Sequence, residues 1–162
     1  MDIKLFRFIN LLSGRFIFLD KLMIFISTKM KFVFFIILVV LLFKKKNITL
    51  EAVVSILISL FMHFIIKVFY FKPRPFLERR VGILLPSKVD SSFPSKHTLL
   101  VFAVSTIVFI YQRILGSIMF GFSILTGVSR IWLGHHYPSD IAGSAVLGTF
   151  TSSFIHKFVK RK

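Results

Sequence analysis

The chain has no cysteine, which excludes disulfides and thiolate metal sites and leaves redox compartment unreadable. Acids are almost as scarce. Six Asp and Glu face 22 Lys and Arg, for a formal charge of +16. A two-metal site built on several carboxylates is therefore underprovided. Four of the five prolines, Pro73, Pro75, Pro86 and Pro94, fall in one polar stretch, 72–96, together with the acids Glu78 and Asp90. The first apolar stretch carries Lys4 and Arg7 and has no small-residue cleavage site, so it does not read as a cleaved leader.

What is abundant is apolar. Hydrophobic residues make up 56% of the 162 positions and Phe alone supplies 22, above the roughly 45–50% of soluble domains. A soluble core of this size could not bury that much apolar surface, whereas a bilayer allows the outer surface to be apolar as well. The basic excess calls for an anionic partner. Because the basic residues are interleaved with apolar runs, lipid head groups or phosphate esters fit better than nucleic acid. No internal repeat or low-complexity tract is found.

Residues 1–20 read as an amphipathic helix lying in the membrane interface, with Leu5, Phe8, Ile9 and Leu12 at helical spacing and Lys4 and Arg7 off that face. Apolar runs follow at 22–43, 48–71, 98–111, 114–133 and 138–159, and a span needs about 20 residues. The expected fold is an all-α integral membrane bundle of five to six transmembrane helices plus the interfacial helix, as one domain over 1–162. If each run crosses once, Lys44–Lys46, Arg113, Lys157 and Lys160–Lys162 share one face, which the positive-inside rule makes cytoplasmic. The linker 72–96 and the segment 129–140 then share the outer face. Residues 1–20 would add a sixth span only by crossing through 3–19.

Span counting brings three polar clusters to that outer face: Lys67 with Arg74-Pro75, then Pro94-Ser95-Lys96-His97, then Ser129-Arg130 with His135-His136 and Asp140. Lys67, Arg74 and Arg130 supply three cations, and guanidinium groups hold phosphate oxygens bidentately. Ser95 adds a hydroxyl, and backbone N–H groups at the helix start near His97 add further anion donors. Phosphoryl transfer asks mainly for positioning and charge stabilisation, which these groups could give without a metal. A carboxylate from Asp140 on one ring nitrogen of His136 would fix its tautomer and leave the other nitrogen as nucleophile. His97 then serves as general acid to the leaving oxygen and as base for the water that follows.

The clusters resemble the motifs of the type 2 phosphatidic acid phosphatase superfamily, K-x6-R-P, P-S-G-H and S-R-x5-H-x3-D. The matching positions are Lys67, Arg74 and Pro75; Pro94, Ser95 and His97; Ser129, Arg130, His136 and Asp140. More narrowly, F-K-P-R-P-F, S-S-F-P-S-K-H-T and L-T-G-V-S-R-I-W-L-G-H-H-Y-P-S-D resemble the BcrC-type undecaprenyl-diphosphatases of bacteria. The resemblance implies a cofactor-free, metal-independent phosphohistidine mechanism. It also implies release of phosphate from undecaprenyl diphosphate outside the cell membrane, recycling the cell-wall lipid carrier and countering bacitracin. Lys96 departs from the pattern, which has glycine there. As a mark of the subfamily it offers a further cation to the diphosphate or to lipid head groups.

Each residue also has a plainer reading. Lys67 could snorkel to the interface, the arginines could serve topology, and His136 with Asp140 could be a structural pair. His135, His63 and His156 read as packing or structural residues, and Trp132 as an interfacial anchor. Rival functions are a broader lipid phosphatase acting on phosphatidylglycerol phosphate, phosphatidic acid or isoprenyl diphosphates, a lipid phosphotransferase, and a non-catalytic protein binding anionic lipid.

Overall fold

The computed structural model describes residues 2–78, 84–87 and 89–160. Arg161, Lys162 and the side chain of Glu78 lie outside that description. The described residues form seven helices and no strand: α1 (Asp2–Asn10), α2 (Ile17–Lys44), α3 (Lys46–Phe69), α4 (Pro75–Glu78), α5 (Lys96–Tyr111), α6 (Arg113–Trp132) and α7 (Pro138–Val159). The fold is all-α, as the apolar periodicity leads one to expect.

The expected helix over 1–20 is instead two elements. Gly14 has a φ of +83°, a conformation that glycine adopts without steric cost, and the chain turns there from α1 into α2. The turn is tied by the Gly14 N–H, which donates to both carboxylate oxygens of Asp20 at 3.1 Å. α1 buries Phe6 against Tyr137, with ring centroids 5.5 Å apart. Phe8 on the same short helix is 70% exposed.

Three described helices, α2, α3 and α6, are long and apolar enough to cross a membrane. α5 is apolar but only 16 residues long. α7 has the length, yet Ser144, Thr149, Thr151, Ser152 and Ser153 dilute its hydropathy. Large apolar side chains point outward along the long helices, Phe35, Phe43, Phe69 and Phe150 among them, as a lipid-facing surface requires.

α5 is the axis of the bundle and packs against α2, α3, α6 and α7. Its residues Leu99, Val101, Ala103, Val104, Ile107 and Val108 are buried. The α5–α7 contact is made close by small residues. A Cβ on Gly148 would meet the Leu99 carbonyl oxygen at 2.4 Å. Ser152 Oγ donates to the Ala103 carbonyl at 2.9 Å, and the Ser95 N–H donates to Ser144 Oγ at 2.7 Å. Such contacts draw helices together where lipid gives no hydrophobic drive. They fix the start of α5 beside the start of α7, which sets the geometry of the site.

Candidate active site

The site is assembled where α6 ends and α7 begins. Gly134, with φ +74°, stops α6. The N–H of His135 returns to the Arg130 carbonyl at 3.1 Å and that of Gly134 to Ile131 at 3.0 Å, the pattern of a Schellman terminus. The chain therefore doubles back within four residues, and His135 and His136 fall beside Arg130. Pro138 opens α7 as its first helical residue, where a missing N–H costs nothing.

His136 is 3% exposed. Its Nδ1 lies 2.7 Å from the Ser92 carbonyl oxygen. A carbonyl only accepts, so Nδ1 carries the proton and Nε2 keeps its lone pair. That Nε2 faces Arg74 Nη1 at 3.5 Å. Burial first, then the charges of Arg130 and Arg74, hold the imidazole well below its usual pKa of 6.5. The ring is neutral at physiological pH, as a nucleophile must be.

The carboxylate expected on His136 stands one step away. Asp140 Oδ2 lies 3.9 Å from Nδ1, beyond hydrogen-bond range. Asp140 is fully buried and accepts from the Ser92 hydroxyl, the Tyr137 N–H at 2.8 Å and Lys72 Nζ at 2.6 Å. The aspartate thus grips Ser92 through its side chain, and Ser92 orients His136 through its carbonyl. The reason is local: Asp140 sits in the first turn of α7 and caps the Tyr137 N–H, while His136 precedes the helix.

A cavity of about 570 Å³ lies here, and Lys67, Arg74, His97, Arg130 and His136 are among its walls. Arg74 is set by Asp90, which accepts from Nε at 2.8 Å and faces Nη2 at 2.6 Å. Asp90 also takes Lys67 Nζ at 2.7 Å. Burial pushes the Asp90 carboxyl up, but the Lys67 hydrogen bond and the Arg74 charge outweigh it and hold the group below its ordinary 3.8. Arg130 is different. Its Nη1 donates to Ser27 Oγ at 2.7 Å, its Nε has no partner, and no carboxylate among the described residues pairs with it. A buried guanidinium without a carboxylate has the chemistry to take an anion.

Ser95 does not reach the cavity. It is fully buried, its hydroxyl accepts from Thr98 at 3.1 Å and its N–H is taken by Ser144. His97, at the start of α5, does line the cavity. His135 lines it too, with Nε2 2.9 Å from the Leu85 carbonyl oxygen. Burial and then the Arg130 charge lower its pKa to about 4.

Sequence reasoning missed several members. His63, expected as packing, lines the cavity with Nε2 unpartnered. Ser27 and Lys31 reach it from α2. Their spacing of one helical turn inside an apolar run is the signal that could have found them. Ser92 and Lys72 carried none, because their roles run through Asp140. Trp132, expected at the membrane interface, is 5% exposed. Its indole N–H donates to Asp20 at 2.8 Å, and its carbonyl accepts from Asn10 at 3.1 Å, which ties α1 and α2 to the site.

The match to the family model for the PAP2 superfamily covers residues 48–162 and includes Lys67, Arg74, His97, Arg130, His136 and Asp140. The chain belongs to the PAP2 superfamily. It is 35% identical to undecaprenyl-diphosphatase BcrC of Bacillus subtilis (strain 168), over 98% of this chain and 84% of that protein. The crystal structure of Aquifex aeolicus LpxE superposes with a TM-score of 0.87 at 26% identity, covering 96% of this chain and 94% of LpxE. A transmembrane PAP2-type phosphatidylglycerolphosphate phosphatase from Bacillus subtilis shares the fold, with a TM-score of 0.78 at 20% identity over 99% and 85% of the two chains. This PAP2 chain is a membrane lipid phosphatase.

Proposed function

We propose that this chain removes the terminal phosphate of undecaprenyl diphosphate through a phosphohistidine on His136, at the outer face of the cell membrane. The observation that carries the chemistry is His136 in the wall of a cavity that Arg74 and Arg130 also line, with its Nε2 lone pair 3.5 Å from Arg74 Nη1 while the Ser92 carbonyl holds Nδ1–H. Nε2 attacks the terminal phosphorus, and the bond from that phosphorus to the bridging oxygen breaks. His97, which takes up a proton when the negative charge of the diphosphate is bound beside it, gives that proton to the bridging oxygen, which leaves on the lipid monophosphate. Neutral His97 then takes a proton from water, whose oxygen displaces His136 Nε2 and releases inorganic phosphate. Arg74 and Arg130 stabilise the charge on the equatorial oxygens.

The substrate assignment rests on the similarity to undecaprenyl-diphosphatase BcrC, and with it a contribution to bacitracin resistance. The outer-face assignment rests on Lys45, Lys46, Arg113 and Lys157 standing at the opposite helix ends from the site. On this reading the chain is one membrane-embedded unit, with α5 and α7 crossing alongside the three longer apolar helices.

The test is phosphate release from undecaprenyl diphosphate by the purified protein in detergent, with and without EDTA, beside His136→Ala. Release that survives EDTA and vanishes in the variant is the expected result. Release only from other phosphate lipids would keep the mechanism and discard the substrate. Transfer of the phosphate to a lipid acceptor with none to water would make the chain a transferase.

A further inference from the structure

Beside the polar cavity lies a second one of about 460 Å³, bounded deeper in the bundle by Phe34, Leu38, Ile56, Val101 and Val104. The two share Ser27, Lys31, Lys96 and His97 in their walls. These four residues mark the place where a polar chamber meets an apolar one. Two of them are lysines, and neither has a carboxylate partner among the described residues. Lys67 and Lys72 at the same end are paired, Lys67 with Asp90 and Lys72 with Asp140.

Lys31 is the more unusual of the two by its position. It sits midway along the 28-residue apolar helix α2, about 20 Å from either end at 1.5 Å per residue. That is far for an ammonium group to snorkel out of lipid. Its side chain is exposed, its ammonium stands 5.1 Å from the centre of the Phe32 ring, and it lines both cavities. Lys96 stands where the family motif has glycine, so it adds a cation to the same junction from the start of α5. His97 follows it and lines both chambers.

We propose that Lys31 and Lys96 form a second phosphate subsite at this junction, holding the phosphate that stays on the lipid and so favouring lipid diphosphates over lipid monophosphates. This rests on the reading of the site as a phosphohistidine phosphatase and adds what selects its substrate. With the terminal phosphate at Arg74, Arg130 and His136, the inner phosphate lies between the two lysines and the tail enters the apolar chamber. The bridging oxygen then falls next to His97, the acid that must protonate it. A lipid monophosphate has two ways to bind. If its phosphate fills the lysine subsite, it is out of reach of His136. If it reaches His136, both ammonium groups are left without an anion. Hydrolysis therefore stops after one phosphate, and the product keeps the group that the lysines held.

The experiment compares kcat/KM for undecaprenyl diphosphate and undecaprenyl monophosphate, which share one tail, in wild type, Lys31→Gln/Lys96→Gln and Lys31→Arg/Lys96→Arg. The wild type is expected to prefer the diphosphate by more than about tenfold, the scale of one or two charge-assisted contacts. The glutamine pair loses about ten- to hundredfold on the diphosphate and stays within about threefold on the monophosphate, collapsing the ratio. The arginine pair keeps the preference, which shows that charge and not shape is read. Equal losses on both substrates in the glutamine pair, or an unchanged ratio, would overturn the subsite while leaving the histidine chemistry standing. Wild-type cleavage of both lipids at equal rates would do the same. No release from either lipid by wild type, with the protein folded, would remove the phosphatase reading itself and the subsite with it.

Discussion

Each end of the bundle sets a histidine near a buried carboxylate, His156 half-buried and His136 fully so, and the two pairs serve opposite purposes. At the end away from the site, Glu51 Oε2 is 2.9 Å from His156 Nδ1. Its other oxygen accepts from the Tyr111 hydroxyl, whose ring stands edge-on to the imidazole at 5.3 Å. That cluster satisfies itself, and the neighbouring Lys44, Lys45 and Lys46 are exposed. At the site end, Asp140 spends its hydrogen bonds on Ser92, Tyr137 and Lys72, while His136, with only Arg74 Nη1 near its Nε2, and Arg130, with no carboxylate among the described residues, line a cavity. The same residue types hold a fold together when their valences close. They make a binding site when one lone pair and one cation are left over.

The sharpest break of that comparison is His136→Ala, expected to lower phosphate release by about 10⁴-fold or more, since a nucleophile has no substitute. Retention of more than a tenth of the rate would remove His136 from the chemistry. Next is Arg130→Lys, which keeps a charge but loses the planar fork. A fall of about 10²-fold in kcat is expected, and a change confined to KM would mean that Arg130 binds ground state and transition state alike. Asp140→Asn should cost only about 10- to 100-fold, as outer partners of a functional histidine do. A direct Asp–His pair would cost about 10⁴-fold, so the size of this loss tells the Ser92 relay from direct contact.

At the other end Glu51→Gln should leave phosphate release within about twofold. It should also lower Tm by several degrees, as loss of charge-assisted hydrogen bonds worth about 1.5–3 kcal/mol each implies. A rate loss as large as that of Arg130→Lys would erase the contrast between the two ends. The smallest effect is on pH. His135 and His136 are neutral in the fold, with pKa values depressed to about 4 for His135 and well below 6.5 for His136. In the unfolded chain both take protons as pH falls through about 6.5. The unfolded state therefore binds more protons, and stability present above pH 6.5 is lost on acidification towards pH 4. Tm in detergent should be lower at pH 5.5 than at pH 7.5, and His135→Gln should flatten the slope. A flat wild-type profile would show that the two rings charge equally in both states.

The legible part of the site was the part written as local spacing. Lys67 to Arg74, Pro94 to His97, and Arg130 to His136 each lie within one short segment, so their side chains reach one membrane face once the apolar runs are counted. The illegible part depends on contacts across the chain. Ser27 meets Arg130 from 103 residues away, Asp90 orients Arg74 from a loop, and Lys72 reaches Asp140 across 68 residues. Nothing in the composition of an apolar α2 says which side its Ser27 and Lys31 face. His63 shows the same limit, since a histidine in mid-span reads alike whether it packs or lines a chamber.

The sequence by itself determined an all-α membrane protein, the end of the bundle that carries the polar clusters, and the residue types able to handle a phosphate. Those follow from hydropathy and chain connectivity, which are properties of the covalent chain. Only the tertiary structure decided that the Ser92 carbonyl, and not Asp140, holds His136, that no carboxylate among the described residues pairs with Arg130, and that a polar and an apolar cavity share Lys31 and Lys96 in their walls. These depend on how close α5 comes to α7 and on the turn at Gly134, and packing sets such distances to within an ångström. A hydrogen bond at 2.7 Å and a separation of 3.9 Å look the same in a sequence.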